Sequence, residues 1–193
     1  MNYKAAKNYI INQLKDELNS QLVYHNLHHT LDVLNSVKLL SHQESLSTDQ
    51  LIILKTAALY HDSGMIETYT DHESASMKFA MDALPDFEYT ELQIQQVCEL
   101  IWATRMPQTA TTISEKILCD ADLDYLGRDD YFLISHSLRL EWKYYNNDIP
   151  LKDWYKMQIR FLKDHSYFTL AAKQLRQPGK EYNCGLIEEL LKK

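Results

Sequence analysis

Glycine and proline are scarce in this chain of 193 residues, with four of each. No low-complexity segment, internal repeat or linker rich in glycine, proline or serine divides the chain. Cysteine is scarce as well: Cys98, Cys119 and Cys184 are odd in number and widely separated, so they form neither a disulfide framework nor a paired zinc motif. We therefore expect one domain over residues 1–193, with reduced cysteines in its core.

Long apolar runs and clusters of basic residues are also missing. No stretch approaches the roughly 18 consecutive apolar residues that a membrane span requires, and no basic head precedes an apolar run at the N-terminus. The formal net charge of −7 repels polyanions, and the thirteen tyrosines are not interleaved with runs of lysine and arginine. These features predict a cytoplasmic protein that binds neither a membrane nor a nucleic-acid polymer.

Helical periodicity covers most of the sequence, and 45% of the residues are hydrophobic, enough to build a sizeable core. Capping boxes that start helices are predicted at Ser47 with Gln50, Thr70 with Glu73, Thr90 with Gln93 and Thr112 with Glu115, and helix ends at Gly64 and Gly127. The predicted helices are Tyr3–Asn19, Leu27–Leu40, Asp49–His61, Asp71–Ala83 and Glu91–Ala103, with later ones beginning near Ile113, Asp130, Leu151, Phe168 and Glu181. The fold class is therefore all-α, a compact bundle of about eight to ten helices.

The predicted third helix contains the segment LIILKTAALYHD, residues 51–62, which is apolar almost all the way round. Such a helix lies at the centre of a bundle, surrounded by others. It ends in His61 and Asp62, two ionisable residues that are costly to desolvate unless something compensates them. A cation is an efficient compensator.

Two other segments, YHNLHH (residues 24–29) and CDADLDYLG (residues 119–127), also contain candidate metal ligands. Helical periodicity predicts which of the neighbouring side chains faces the core. His29 shares its stripe with two valines and a leucine, so it is predicted to face the core, whereas His28 aligns with polar residues and is predicted to face water. Asp122 follows an isoleucine and a leucine by five and four positions and is predicted to point inward. Asp120 aligns with polar residues and is predicted to point outward.

Four inward side chains result: His29, His61, Asp62 and Asp122. Taken singly, each has an ordinary explanation, because a histidine on an apolar stripe is usually a hydrogen-bonded core residue and a His-Asp pair can cap a helix end. Taken together, two imidazoles and two carboxylates suit a borderline or hard divalent ion rather than thiolate-type zinc. The sequence therefore predicts one divalent metal ion, with water-filled positions left for a substrate oxygen.

The order and spacing of these residues resemble the HD superfamily of metal-dependent phosphohydrolases, defined by a histidine, a later His-Asp dipeptide and a still later aspartate on separate helices. His29 corresponds to the first histidine of this pattern, His61 and Asp62 to the dipeptide, and Asp122 to the last aspartate. The sequence YHN before the first ligand is also common in this group. The chain is similar to a bacterial branch of predicted phosphohydrolases over residues 24–128. The resemblance implies an HD-domain bundle, with residues 129–193 as a C-terminal helical extension.

The resemblance also implies a reaction. In the family, the cation polarises a phosphoryl oxygen and lowers the pKa of a coordinated water, which Asp62 could also orient. Relatives use manganese, magnesium, iron, cobalt, nickel or zinc, so the identity of the ion stays open. HD proteins with two metals need extra histidines between the dipeptide and the last aspartate, and this interval contains only His72, in the predicted first turn of the next helix. We therefore predict a mononuclear centre and an exposed His72.

Phosphate chemistry also needs cations and proton-transfer groups near the metal. Arg105 and Arg128 are the candidate cations, although each could be a solvated arginine near a helix end. His25 is a candidate acid or phosphate contact, with a capping or supporting role as the alternative. Glu73 is a candidate general base, with its place in a capping box as the favoured alternative.

These observations predict a hydrolase that acts on a small phosphate ester, a nucleotide or related metabolite, through a metal-activated water. The partners we consider are that phosphorylated substrate and, in a homodimer, a second copy of the chain. Two alternatives stay open. One is a di-iron oxygenase of the HD type, and the other is a non-catalytic HD module that binds a metal or ligand for signalling.

Overall fold

Nine α-helices and no strand make up the part of the chain that the computed structural model describes, residues 1–145 and 147–192. The all-α class and the number of helices are therefore as predicted. None of the described helices is both long and apolar enough to cross a membrane. In chain order the helices are α1 (Tyr3–Glu17), α2 (Leu27–Leu40), α3 (Thr48–Tyr60), α4 (His72–Ala83), α5 (Glu91–Ala103), α6 (Ile113–Asp122), α7 (Tyr131–Tyr144), α8 (Leu151–Asp164) and α9 (Leu170–Lys192).

Helix α3 is the central helix of the bundle, as its apolar sequence predicted. It packs against α1, α2, α4, α5 and α6, and every residue from Thr56 to Tyr60 is buried. The predicted capping box at Ser47 starts α3, and those at Thr90 and Thr112 start α5 and α6, each with both reciprocal hydrogen bonds. Because α3 is covered on every side, the His-Asp dipeptide at its C-terminal end lies inside the bundle.

The predicted capping box of Thr70 with Glu73 is wrong. Helix α4 begins at His72, after Asp71, and no described side chain caps this end of the helix. The backbone of Asp71 has a φ of 57°, a left-handed conformation that turns the chain sharply. Glu73 is therefore not used as a cap, and its side chain is only 13% exposed.

The two glycines predicted to end helices have a different role. Helices α3 and α6 both end earlier in the chain, and neither Gly64 nor Gly127 has a positive φ. A β carbon on Gly64 would lie 2.2 Å from the carbonyl oxygen of His72, and one on Gly127 would lie 2.2 Å from that of Arg176. Glycine is required at both positions because another helix approaches the backbone closely.

Helix α9 is continuous, whereas the sequence predicted two helices beginning near Phe168 and Glu181; that prediction was wrong. Pro178 and Gly179 lie inside the helix, where both residues are unfavourable. A β carbon on Gly179 would lie 2.2 Å from the carbonyl oxygen of Gly127. The helix thus packs directly on the turn that follows α6, and we attribute its continuity across the proline to this packing.

Asp120 faces the interior, although it was predicted to face water. It is 1% exposed, and its carboxylate accepts hydrogen bonds from the backbone amides of Phe168 and Thr169 and from the Thr169 hydroxyl, at 2.7, 2.8 and 2.7 Å. Burial raises the pKa of Asp120 even though these hydrogen bonds oppose the shift. The periodicity of α6 misplaced this residue because its partners lie on the segment that leads into α9.

We expect Asp120→Ala to lower the free energy of unfolding by about 2–4 kcal/mol, because three donors in a dry site lose their acceptor. Urea denaturation at neutral pH measures the change. The exposed Asp129 provides the matched control, and Asp129→Ala should stay within about 0.5 kcal/mol of the wild type. Equal stabilities of the two variants would show that the Asp120 carboxylate does not hold the start of α9 in place.

Candidate metal centre

His29 lies in the first turn of α2. The side chain of Asn26 caps this helix by accepting hydrogen bonds from the backbone amides of His28 and His29, at 2.9 and 3.2 Å. The cap fixes the start of the helix and therefore the faces on which the two histidines lie. The His29 side chain is 10% exposed, whereas His28 is exposed to solvent. Both orientations are those predicted from the helical stripe.

His61 and Asp62 follow the last residue of α3 and are both buried. Nδ1 of His61 lies 3.0 Å from the carbonyl oxygen of Ala58, to which it donates a hydrogen bond. This contact places the ring proton on Nδ1 and leaves the lone pair of Nε2 for a ligand. His61 is therefore oriented as a metal-binding histidine would be.

Four side chains from α2, α6 and the end of α3 converge on one point. The Nε2 atoms of His29 and His61 lie 3.4 Å apart. Oδ2 of Asp62 lies 3.3 and 3.2 Å from them, and Oδ1 of Asp122 lies 3.3 and 3.5 Å from them. The ligand atoms of His29, His61 and Asp122 all lie within 4.8 Å of one another. The structure thus brings together the four residues predicted as metal ligands.

The charges of this cluster perturb one another. Burial by itself would lower the pKa of His29, but the two neighbouring anionic carboxylates, Asp122 and Asp62, outweigh it and raise the pKa to about 9. The same balance raises the pKa of His61. Burial would raise the pKa values of Asp62 and Asp122, but the two imidazoles hold both well below the usual range. The carboxylates are therefore anionic and require a positive charge beside them.

One oxygen of the cluster lacks a partner. Oδ2 of Asp62 is buried and accepts no hydrogen bond from any described residue. A buried carboxylate oxygen without a donor is costly, and a cation at the point of convergence would compensate it. The donor set of two imidazoles and two carboxylates also suits a divalent ion, and such an ion would leave positions open for a substrate oxygen. The residues present therefore fit a divalent metal.

His72 lies beside this cluster, although it was predicted to be exposed. Its side chain is 20% exposed, and its Nε2 lies 3.5 Å from Oδ1 of Asp62. Burial lowers the pKa of His72, but the hydrogen bond and charge of Asp62 outweigh it, so the pKa is raised. The prediction was wrong because it assumed a solvent-facing first turn capped by Thr70. Asp62 thus has one oxygen near the two clustered histidines and the other near His72.

His25 is paired with Glu141 of α7, a residue that was not predicted to be functional. Nδ1 of His25 donates to Oε1 of Glu141, and the backbone amides of Tyr24 and His25 donate to Oε2 at 2.8 and 3.0 Å. Glu141 is 0% exposed. Burial would raise its pKa, but the hydrogen bonds and charge of His25 together with the two amides lower it. A glutamate on the apolar stripe of α7, three residues after Leu138, was the signal that could have identified it.

The two predicted arginines are already paired with carboxylates. Arg105 is 44% exposed, and its guanidinium lies 3.1 Å from Asp71. Arg128 forms ion pairs with Asp32 and Asp130 at the edge of a cavity of about 160 Å³ that also borders on His29 and Asp122. A contact between either arginine and phosphate stays a prediction, since each would have to leave or share its present partners.

A second cavity, of about 460 Å³, is lined by Asp62 and Asp122. His25, His72 and Glu73 line the same part of its wall. Much of the remaining wall comes from α7 and α8 and is rich in aromatic rings and methionine. Its volume falls within the roughly 300–1,000 Å³ that is typical of small-molecule sites. Two of the candidate ligands, Asp62 and Asp122, therefore face the same cavity as the proton-transfer candidates.

Two crystal structures share this fold. A protein named as a predicted HD superfamily hydrolase, from an uncultured Thermotogales bacterium, aligns with a TM-score of 0.65 and 18% identity over 97% of this chain and 90% of its own. A protein from Listeria innocua aligns with a TM-score of 0.69 and 19% identity over 98% of this chain and 96% of its own. At these identities the likeness establishes the fold alone. The chain has the HD-domain fold that the sequence resemblance implied.

Similarity at the level of sequence is more limited. An uncharacterized protein from Clostridium beijerinckii is 34% identical over 90 residues, which make up 45% of this chain and 57% of that protein. The match thus spans little more than half of the relative's length. No protein-family model matches the sequence. The function must therefore be argued from the site.

Proposed function

We propose that this chain, with its HD-domain fold, is a metal-dependent phosphohydrolase that acts on a small phosphate ester, such as a nucleotide or a related metabolite. The observation that carries the proposal is the convergence of His29, His61, Asp62 and Asp122 beside a 460 Å³ cavity. The solved structure named as an HD superfamily hydrolase supports a hydrolytic reaction. The net charge of −7 favours a compact ligand over a polyanion.

In this proposal His29, His61, Asp62 and Asp122 would hold one divalent ion, with imidazole nitrogens and carboxylate oxygens as the donors. The bound ion supplies a Lewis acid for a phosphoryl oxygen and lowers the pKa of a coordinated water. Asp62 has a second task, because its Oδ1 is the oxygen nearer His72. This oxygen can accept a hydrogen bond from the attacking water and orient it towards phosphorus.

His25 is the proton donor in this proposal. Its ring borders the cavity, and because Glu141 holds Nδ1, the Nε2 atom points away from that carboxylate. Nε2 gives its proton to the departing ester oxygen while the bond from phosphorus to that oxygen breaks and a bond to the water oxygen forms. The buried carboxylate of Glu141 orients the ring of His25 through Nδ1. The attacking water loses one proton to solvent and His25 regains one, so the net products are inorganic phosphate and an alcohol.

The proposal is tested by a screen of nucleotides, sugar phosphates and generic phosphomonoesters, with each of the six candidate ions in turn. We expect at least one ester to release phosphate, and only when a divalent ion is present. Asp62→Ala and Asp122→Ala, purified identically, show whether a contaminating phosphatase contributes. If no ester is hydrolysed with any ion, or if both variants release phosphate as fast as the wild type, the hydrolase proposal falls. A non-catalytic binding module would then be the better reading.

Metal binding at this cluster should also stabilise the protein. At a free-ion concentration of about 100 times Kd, mass action adds about 2.7 kcal/mol to the free energy of unfolding, which corresponds to a rise in Tm of about 5–10 °C for a chain of this size. Thermal melts of chelator-treated protein, with and without each ion, measure this shift. His61→Ala should lose the shift, whereas replacement of the exposed His42 should retain it. Equal shifts in both variants would place the ion elsewhere.

A dinuclear centre is the second candidate, and the position of His72 favours it. Nε2 of His72 lies 3.5 Å from Oδ1 of Asp62, so His72 would be available as a ligand for a second ion beside the first. A mononuclear centre was predicted on the expectation that His72 is exposed, whereas His72 lies beside Asp62. Elemental analysis of freshly purified protein separates the two candidates: one ion per chain supports the mononuclear hydrolase, whereas two irons per chain would favour an oxygenase.

A further inference from the structure

The large cavity has a wall that the proposed reaction does not use. One face of α8 and two residues of α7 form it, and we call it the α7–α8 wall. Four of its members, at positions 154, 157, 158 and 161, follow the i, i+3, i+4, i+7 spacing of one helical stripe. Aromatic rings and thioethers of this kind bind flat apolar surfaces. The α7–α8 wall consists of Leu138, Trp142, Trp154, Met157, Gln158 and Phe161.

The cavity offers little positive charge to a ligand. Among the described residues that line it, none is a lysine or an arginine. Among the described lining residues, the carboxylates of Asp62, Glu73 and Asp122 and the imidazoles of His25 and His72 lie at the end near the candidate metal centre. An anionic group placed against the α7–α8 wall would be desolvated without compensation. The wall therefore fits an uncharged group.

Gln158 is held in one orientation by its neighbours. Its Oε1 accepts hydrogen bonds from the hydroxyls of Tyr131, at 2.8 Å, and Ser135, at 3.2 Å. Oγ of Ser135 in turn accepts a hydrogen bond from Nε1 of Trp154, at 3.1 Å. Because an indole nitrogen only donates, the hydroxyl hydrogen of Ser135 stays free for Gln158. The amide oxygen is thus fully engaged on the core side.

The amide nitrogen of Gln158 is left to face the cavity. Gln158 is 6% exposed and lines the cavity, and its hydrogen bonds to described side chains are made through Oε1. A ligand that covers this donor without supplying an acceptor leaves it unpaired, which is unfavourable, so a ligand with an acceptor at this point gains affinity over one without. A group that is uncharged, stacks on aromatic rings and carries such an acceptor is a planar heterocycle.

Resting on the proposed function, we propose that the organic part of the substrate is an uncharged planar heterocycle bound against the α7–α8 wall. Gln158 donates from Nε2 to a carbonyl oxygen or ring nitrogen of that heterocycle and thereby determines which ring is accepted. The phosphate lies at the opposite end of the cavity, near Asp62 and Asp122. Sugar phosphates, which lack an aromatic ring that could stack on this wall, should therefore be poor substrates.

The test uses heterocycles without phosphate, so it does not depend on hydrolysis. Uridine, cytidine, adenosine, guanosine and nicotinamide are each titrated into the full chain by calorimetry, with ribose for comparison. We expect at least one heterocycle to bind at a single site and ribose not to bind. Gln158→Glu keeps the acceptor for Tyr131 and Ser135 but replaces the donor, so it should weaken binding at least about tenfold. The same change at the exposed Gln174 should have no effect.

A second matched pair decides the matter if Gln158→Glu does not fold. Trp142 lies in the wall and is half-buried, whereas Trp102 is exposed and lies outside the cavity. Trp142→Ala should weaken binding of the heterocycle about tenfold or more, and Trp102→Ala should not. The inference is overturned if none of the five heterocycles binds, or if the wall variants bind as tightly as their controls, even when esters are hydrolysed. Heterocycle binding without phosphate release from any ester would instead refute the hydrolase and leave this site standing.

Discussion

His29→Ala should abolish metal-dependent phosphate release, whereas His28→Ala should leave it near the wild-type value. The two histidines are adjacent in α2, but only His29 points into the ligand cluster. Loss of one imidazole ligand removes several kcal/mol of charge stabilisation in the transition state. Because about 1.36 kcal/mol corresponds to a factor of ten, kcat/KM should fall by at least about a thousandfold.

Two measurements check this expectation. Steady-state kinetics with excess metal gives kcat/KM for each variant, and elemental analysis gives the bound ion per chain. His29→Ala should lose both activity and bound ion, and His28→Ala should keep both. If His29→Ala retains the ion but loses activity, His29 contacts the substrate rather than the metal. If it retains both, the proposed centre is wrong.

His25→Ala should lower kcat by about 10²–10⁴ for an alkyl phosphate, the range typical of a general acid. A change at Glu141 should also lower kcat, because the buried carboxylate of Glu141 holds Nδ1 of His25. Glu141→Gln preserves the volume of the side chain and removes its charge, so it should reduce kcat by a smaller factor. KM should change little in either variant, since the proton is transferred only in the transition state.

The leaving group tests whether His25 gives a proton. The p-nitrophenolate ion departs without protonation, so His25→Ala should slow hydrolysis of p-nitrophenyl phosphate by less than about tenfold. A large loss of kcat for the alkyl phosphate together with a small loss for p-nitrophenyl phosphate would identify His25 as the general acid. Equal losses for the alkyl and the nitrophenyl ester would instead assign His25 to positioning the phosphate. Circular dichroism of both variants shows whether the fold is intact.

The helix-face predictions succeeded where the deciding contacts were local. His29 and Asp122 were chosen over His28 and Asp120 because a stripe repeats every three or four residues, and three of the four orientations are observed. Asp120 was misplaced because its partner, the amide of Phe168, is 48 residues away in the chain. Helical periodicity in the sequence indicates which face of a helix is apolar, but it does not indicate that a polar side chain such as Asp120 is buried as a hydrogen-bond acceptor.

Long-range contacts also determine the positions and orientations of the residues around the cluster. Glu141 holds His25 across 116 residues, and Gln158 is oriented by hydroxyls 27 and 23 residues before it. His72 was predicted to be exposed on the assumption of a local cap, and the left-handed turn at Asp71 places it beside Asp62 instead. In the first two cases the partner lies on another helix, and in the third it follows the end of one, so the relevant distance is set by helix packing.

The sequence by itself determined the all-α class, the central apolar helix and the four residues that converge, because periodicity, capping and motif order are properties of short segments. Only the tertiary structure decided that α9 is continuous, that His72 lies at the cluster, and that His25 and Gln158 face one cavity. These outcomes depend on how closely helices approach, as at Gly64 and Gly127. Close approach is a property of two surfaces, and no single segment encodes it.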